Sequence, residues 1–186
     1  VKARRQLTDL TVSVDPPKRT GGDGALPSDS VTWNFVGSIA IAENSPNHRK
    51  SEVIRPAPAR FPDYLSDAKQ MTVEAGRCQA VYLTIHVPRD AQAGDYQGTV
   101  TFHAKEGDRT LPLALTVYPL TLPDERHLMV PEWYSTGRFR QLYGIDSSDS
   151  DAFYRMLGVY ARNMADHRQN VFRVSLDLIR TMKAKD

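Results

Sequence analysis

The sequence lacks most of the features that make a function quick to read. Cys78 is the one cysteine in 186 residues. A single thiol closes no internal disulfide and builds no cysteine-based metal site. No stretch approaches the ~18 consecutive apolar residues of a membrane span, and the N-terminus has no apolar signal-peptide core. No asparagine stands in an Asn-x-Ser/Thr acceptor with an allowed middle residue. Neither sign of charge dominates: 24 basic and 22 acidic residues leave a net charge of +2. They are well mixed, which argues against nucleic acid as a partner. The short basic group Lys2, Arg4 and Arg5 reads as a solvated terminus. Phosphate-binding glycine loops, dinucleotide fingerprints and Gly-x-Ser-x-Gly elbows are all missing. The five histidines, His48, His86, His103, His127 and His167, form no metal-ligand spacing. No metal and no cofactor is therefore expected. His86 and His103 fall on the polar phase of apolar-alternating runs and read as surface residues.

What is present up to about residue 123 is alternation with a period of two. Leu10, Val12 and Val14 share one face. Phe35, Gly37, Ile39 and Ile41 share another, led in by Val31 and Trp33. Further on come Val81, Leu83, Ile85 and Val87, then Tyr96, Gly98, Val100 and Phe102, then Leu111, Leu113, Leu115 and Val117. One dry face and one wet face mark antiparallel sheet. Several short strands with turn signals between them indicate a β-sandwich of immunoglobulin-like kind. Glu106-Gly107-Asp108 reads as a hairpin turn, and Pro112, on the polar phase of its strand, places that strand at an edge or bulge. Residues 16–30 read as an exposed loop. So does the proline-rich segment 43–67, as an irregular stretch without helical period.

After residue 123 the period changes. HLMVPEWYS reads as a short buried strand. Phe153, Met156, Leu157, Tyr160, Ala161 and Met164 recur at helical spacing within residues 147–170. Ser148 or Ser150 can cap the start of that helix, with Asp149 and Asp151 at its positive end, and Asn170 is a candidate stop. VFRVSLDLI then reads as a second, nearly all-apolar strand. Strand, helix, strand is the start of a parallel α/β layer. The division expected is a β-sandwich at 1–123 and, at 124–186, the first β-α-β of an incomplete (β/α)8 barrel. Two strands and one helix cannot cover both faces of a parallel sheet, so the chain reads as the N-terminal part of a larger protein. The rest of the barrel is its expected partner, whether from the same polypeptide or another.

The stretch QAVYLTIHVPRDAQAGDYQGTVTF, followed by LPLALTVYPLTLPD, resembles the N-terminal β-sandwich that precedes a (β/α)8 barrel in glycoside hydrolase 123-like enzymes. The domain-of-unknown-function 4091 group is the related set. WNFVGSIAI and FPDYL are similar to pieces of the same module in the same order, so the resemblance runs from about residue 31 to residue 179. Read without the family, Gly94 and Gly98 permit backbone conformations or close approaches that a side chain blocks. Tyr96 resembles a tyrosine corner, its hydroxyl bonding back to nearby backbone.

The resemblance implies a glycosidase acting on β-linked N-acetylhexosaminides by a substrate-assisted retaining mechanism, with a carbohydrate substrate and an adjacent Asp-Glu pair on a later barrel strand. It also implies an exported, bacterial-type location, secreted or periplasmic. Asp124-Glu125 is such a pair but lies in the exit linker, ahead of the first barrel strand, whereas catalytic residues of such barrels sit at the C-terminal ends of strands. The catalytic acids are therefore expected after Asp186, and this chain alone is expected to be inactive. By the same barrel logic Glu132, Trp133, Tyr134 and Asp177 point at the pocket: the rings to stack on a sugar's apolar face, the carboxylates to bind its hydroxyls. The packing alternative has Trp133 and Tyr134 under a neighbouring loop and Asp177 capping the segment after it. The alternative, a different class of function, is a non-catalytic glycan-binding or structural β-sandwich, since sandwiches host many functions.

Overall fold

β1, Leu7–Val14, opens the first sheet. Its period-two pattern works as the sequence dictates: Leu10 and Val12 are buried, and Ser13 between Val12 and Val14 is exposed. The structure, a computed structural model, describes all residues except 48, 132–133, 149, 176–178 and 181–186. It divides into two compact units, Val1–Thr121 and Leu122–Asp186.

In the first unit β2 is Lys18–Arg19, β3 Val31–Ile41, β4 Ala59–Ser66, β5 Met71–Val73, β6 Val81–Ile85, β7 Gly94–His103 and β8 Arg109–Val117. All the pairings between these strands are antiparallel, in two sheets. One holds β4, β3 and β6 in that order. The other runs β2, β7, β1, β5, with β8 on β7. β1 divides its pairing: Leu7 faces Val73 and Leu10 faces Met71 on β5, while Thr11 to Val14 face His103 to Val100 on β7. Asp9, at the register shift between Leu7 and Leu10, has φ 55. Both sheets feed one core. Phe35 from β3, Leu10 and Val12 from β1, Val73 from β5 and Val100 from β7 are buried together, with Trp33, Leu83 and Phe102 packed against them. The ring of Phe35 stands edge-on to Trp33 at 5.1 Å. A mainly β, antiparallel, two-layered unit is the outcome of the alternation.

Three details depart from the expectation. Residues 43–67 are not irregular throughout, since β4 lies inside them. Pro62 hid it; that residue stands opposite Ser38, beside a register shift between Val36 and Ser38. Tyr64 lies in the extra length of β4 at that shift, with its ring over Gly37, where a Cβ would come within 2.3 Å of it. Second, Ile39, Val87 and Leu111, assigned to covered faces, are exposed, because the alternation runs past the part of each sheet that the other layer covers. Third, residues 16–30 carry β2. Pro112 is at an edge as expected: β8 pairs with β7 alone, and Pro112 stands opposite Thr99. The turn at residues 104–108 closes the β7–β8 hairpin, with the Gly107 amide donating to the Ala104 carbonyl at 2.9 Å.

The second unit contains α1, Thr136–Leu142, and α2, Asp151–Asp166. α1 was absent from the sequence reading; its seven residues are too few to establish a helical period, and only Phe139 is buried. α2 begins where expected, with Ser150 Oγ accepting from the Phe153 amide at 3.2 Å. Its C-cap is His167, a correction to the stop at Asn170. Asn170 has another task. Its Oδ1 accepts from the Val130 amide at 2.8 Å and its Nδ2 donates to the Leu128 carbonyl at 3.1 Å. Among the described residues the two expected strands are reduced to one parallel bridge, Pro131 with Val171, while Ile179 and Arg180 are helical. The core of this unit is Phe139, Phe153 and Leu157, with Phe139 stacked on Phe153 at 5.2 Å.

Candidate functional site

The bridge of Pro131 with Val171 sets two chain segments side by side in the same direction, so the residues just beyond them emerge at one end. Tyr134 is there. Its ring stacks on Phe172 at 5.0 Å and lies 6.3 Å from Tyr160. Its hydroxyl donates to the Arg173 carbonyl. Partial burial raises the phenol's pKa above its ordinary value, opposed by the nearby Arg173 charge. The ring is therefore fixed in plane and tilt by two contacts, one apolar and one polar. Glu132, Trp133 and Asp177, the other three candidates, lie outside the described residues.

Asp124 and Glu125 sit in an exposed stretch. Glu125 Oε2 is 3.9 Å from His127 Nε2, and both side chains are about four-fifths exposed. Near α2, a cleft of about 450 Å³ is lined by Tyr143, Met156, Val159, Tyr160, Asn163 and Met164, among others. Its walls are mostly apolar, with the Asn163 amide as a polar group. No group of three or more His, Cys, Asp or Glu is placed to hold a metal ion among the described residues, and none of their helices is long and apolar enough to cross a membrane.

In the first unit, the stretch VPRDAQAGDYQGTVTF is a braced corner. The Tyr96 hydroxyl donates to the Gln92 carbonyl, four residues upstream, at 2.8 Å. Arg19, paired opposite Tyr96, grips the same loop: Nε and Nη2 donate to the Ala93 carbonyl at 3.2 and 3.0 Å, and Nη1 donates to Gln92 Oε1 at 3.1 Å. Gly94 has φ +140, open to glycine alone, and a Cβ there would meet Arg19 Nε at 3.0 Å. At Gly98 a Cβ would fall 2.9 Å from the Asp15 carbonyl oxygen. The glycines and the tyrosine thus have structural tasks, as the spacing predicts.

One arrangement was invisible in the sequence. His103 is on the polar phase, as expected, but it stands between Ser13 and Asp108. Ser13 and His103 are 90 residues apart, and no spacing rule joins them; only the pairing of β1 with β7 does.

The family model for the glycoside hydrolase 123 N-terminal domain matches residues 1–104. A solved structure of a family 123 glycoside hydrolase from Clostridium perfringens, the subject of work on glycolipid glycan hydrolysis, superposes on 88% of this chain with a TM-score of 0.71 and 18% identity. This chain spans 28% of that protein's length. At such identity the likeness is one of fold. No match is found among curated proteins. A match over more than half the chain, on the unit whose two antiparallel sheets share one core, makes this chain a member of the glycoside hydrolase 123 N-terminal domain family.

Proposed function

We propose that this chain is the N-terminal part of a glycoside hydrolase acting on β-linked N-acetylhexosaminides. The family match over residues 1–104 carries the reading. The parallel bridge of Pro131 with Val171, with α1 and α2 between its two partners, supports reading residues 124–186 as the first β-α-β of a (β/α)8 barrel. In this reading the catalytic acids belong to the portion of the protein beyond this chain. The substrate's acetamido oxygen attacks the anomeric carbon, one acid orients it, and the other protonates the leaving oxygen, a variant of the two-carboxylate scheme. In this reading Glu132, Trp133, Tyr134 and Asp177 are the residues of this chain that contact the sugar. Tyr134, with its ring locked on Phe172, offers a rigid wall. The protein is exported by a bacterial-type cell and meets its glycan outside the cytoplasm.

The test uses the full-length protein against a panel of aryl β-glycosides that includes the N-acetylgalactosaminide. Turnover of N-acetylated substrates, with none by the 186-residue chain alone, is the expected result. Trp133→Ala should raise KM several-fold, the loss of one stacking contact. Absence of turnover across the whole panel refutes the enzyme reading. Turnover of sugars without the acetamido group at equal rates refutes the substrate-assisted mechanism.

A further inference from the structure

Ser13, His103 and Asp108 form a hydrogen-bonded relay on the outer face of the five-stranded sheet. β1 and β7 run antiparallel, with Ser13 opposite Thr101 and His103 opposite Thr11. Ser13 and His103 are thus diagonal neighbours on the face turned away from Val12 and Val100, within reach of each other's side chains. Ser13 Oγ is 2.8 Å from His103 Nε2, and His103 Nδ1 is 2.9 Å from Asp108 Oδ2.

The direction of these bonds follows from the groups themselves. An ionised carboxylate only accepts, so the Nδ1 facing Asp108 carries a proton. On a neutral ring Nε2 then keeps its lone pair, and the Ser13 hydroxyl donates into it. Nucleophile, base and orienting carboxylate stand in the order that activates a hydroxyl for acyl transfer. Asp108 is not on a loose end. Its hairpin is tied to β1 by the Lys105 amide donating to the Thr8 carbonyl at 3.0 Å, and by the Thr8 amide donating to Glu106 Oε2 at 2.8 Å. Arg5 Nη2 adds a bond to the Glu106 carbonyl at 2.7 Å. Ser13 is exposed, and the side chains of His103 and Asp108 are 39% and 58% exposed, so a small donor reaches Oγ directly from solvent.

The geometry points to Ser13 as a base-activated nucleophile that accepts acyl groups from small activated esters, with His103 as its base and Asp108 as a positioning residue. Oγ attacks the ester carbonyl carbon, and the hydroxyl proton passes to Nε2. The bond to the aryl oxygen breaks, its electron pair leaves with the aryloxide, and that oxygen collects the proton from His103. The products are acyl-Ser13 and a phenol. Water, deprotonated by His103 in turn, releases the acid and restores the hydroxyl. Base activation alone contributes about 10²–10⁴-fold, so the reaction is slow acylation at one chosen serine rather than efficient esterase turnover.

The experiment treats the full chain with p-nitrophenyl acetate, follows nitrophenolate release, and maps acetyl groups by peptide mass analysis. Ser13 should be acetylated at least tenfold faster than the exposed Ser28 and Ser51. Ser13→Ala should remove that adduct, and His103→Gln should slow Ser13 acetylation by tenfold or more. Asp108→Ala should move the His103 ring proton from Nδ1 to Nε2 in nitrogen NMR and slow acetylation, and Asp108→Glu should restore both. Acetylation of Ser13 at the rate of Ser28 and Ser51 in the unaltered chain overturns the assignment without need of any variant. An unchanged rate in His103→Gln overturns the role of the base.

Discussion

Replacing Tyr96 by Phe removes one oxygen from a side chain that is 3% exposed and leaves every ring contact in place. The bond lost is the one from the hydroxyl to the Gln92 carbonyl at 2.8 Å. Leaving a carbonyl buried and unpaired costs about 1–3 kcal/mol. Gln92, however, is exposed, so its carbonyl regains water and the loss falls to that of a net hydrogen bond, about 1 kcal/mol. For a folding unit of this size the melting temperature should drop by about 3–6 °C. Arg19 also holds Gln92, through Oε1, and its neighbour through the Ala93 carbonyl. Two anchors on one short loop are not independent. Once one is gone the loop is looser, and the second stabilises less. The double variant Tyr96→Phe, Arg19→Ala should therefore cost less than the two single changes added, by about 0.5 kcal/mol or more. Thermal unfolding followed by circular dichroism gives all three values, and amide exchange should quicken at residues 89–95 before the strands are affected. A melting temperature within about 1 °C of the parent for Tyr96→Phe, or strict additivity in the double variant, would refute the braced-corner account.

Three other outcomes are expected. Gly98→Ala should destabilise the first unit by about 1–3 kcal/mol in denaturant unfolding, since the new methyl meets the Asp15 carbonyl oxygen at 2.9 Å and backbone must move; an unchanged midpoint counts against it. Asn170→Ala should weaken the second unit by about 1–3 kcal/mol, seen as faster amide exchange at Val130, because the side chain bonds to both Val130 and Leu128; unchanged exchange there would show the contacts are not maintained. The Asp9 carboxyl lies below its ordinary pKa through its bond to Lys105, as does Glu106 through its bond from the Thr8 amide. A lowered carboxylate pKa gives stability that is present above the unfolded value, about pH 4, and is lost as pH falls through the folded one. Asp9→Asn and Glu106→Gln should flatten that acid limb of the stability curve, and an equally steep limb in both variants would contradict the assignment.

Much of the first unit could be read from its residues. Leu10, Val12, Phe35, Tyr96 and Val100 are buried where alternation put them, because burying one face of a strand forces that period on the sequence. The tyrosine and glycines of the corner were legible because each answers a local backbone demand. β4 was missed because Pro62 is a strand breaker by composition, and its tolerance comes from a register shift that only the partner strand reveals. α1 was missed because seven residues with one buried side chain carry no periodic signal. The strand expected to carry Tyr134 is reduced to the bridge at Pro131, and the partners of Tyr134, Phe172 and Arg173, come from beyond α2 in sequence. The Ser13–His103–Asp108 relay lies wholly in strand pairing, and a linear pattern does not record which polar residues of distant strands become neighbours.

The divided pairing of β1 has a consequence for how the protein is made. Its first half needs β5 and its second half needs β7, and the contact from Ser13 to His103 closes over 90 residues of chain. Contacts of that separation make folding slow, because the loop must be ordered before the pairing repays it. At about 5–20 residues per second of synthesis, β1 waits roughly 5–20 s for its last partner, with Leu10 and Val12 uncovered and its ladder groups free to find another chain. β1 thus emerges well ahead of β7 and is among the last strands of its unit to be secured. Changes that only delay β7 should show as lost soluble yield before they show as lost stability.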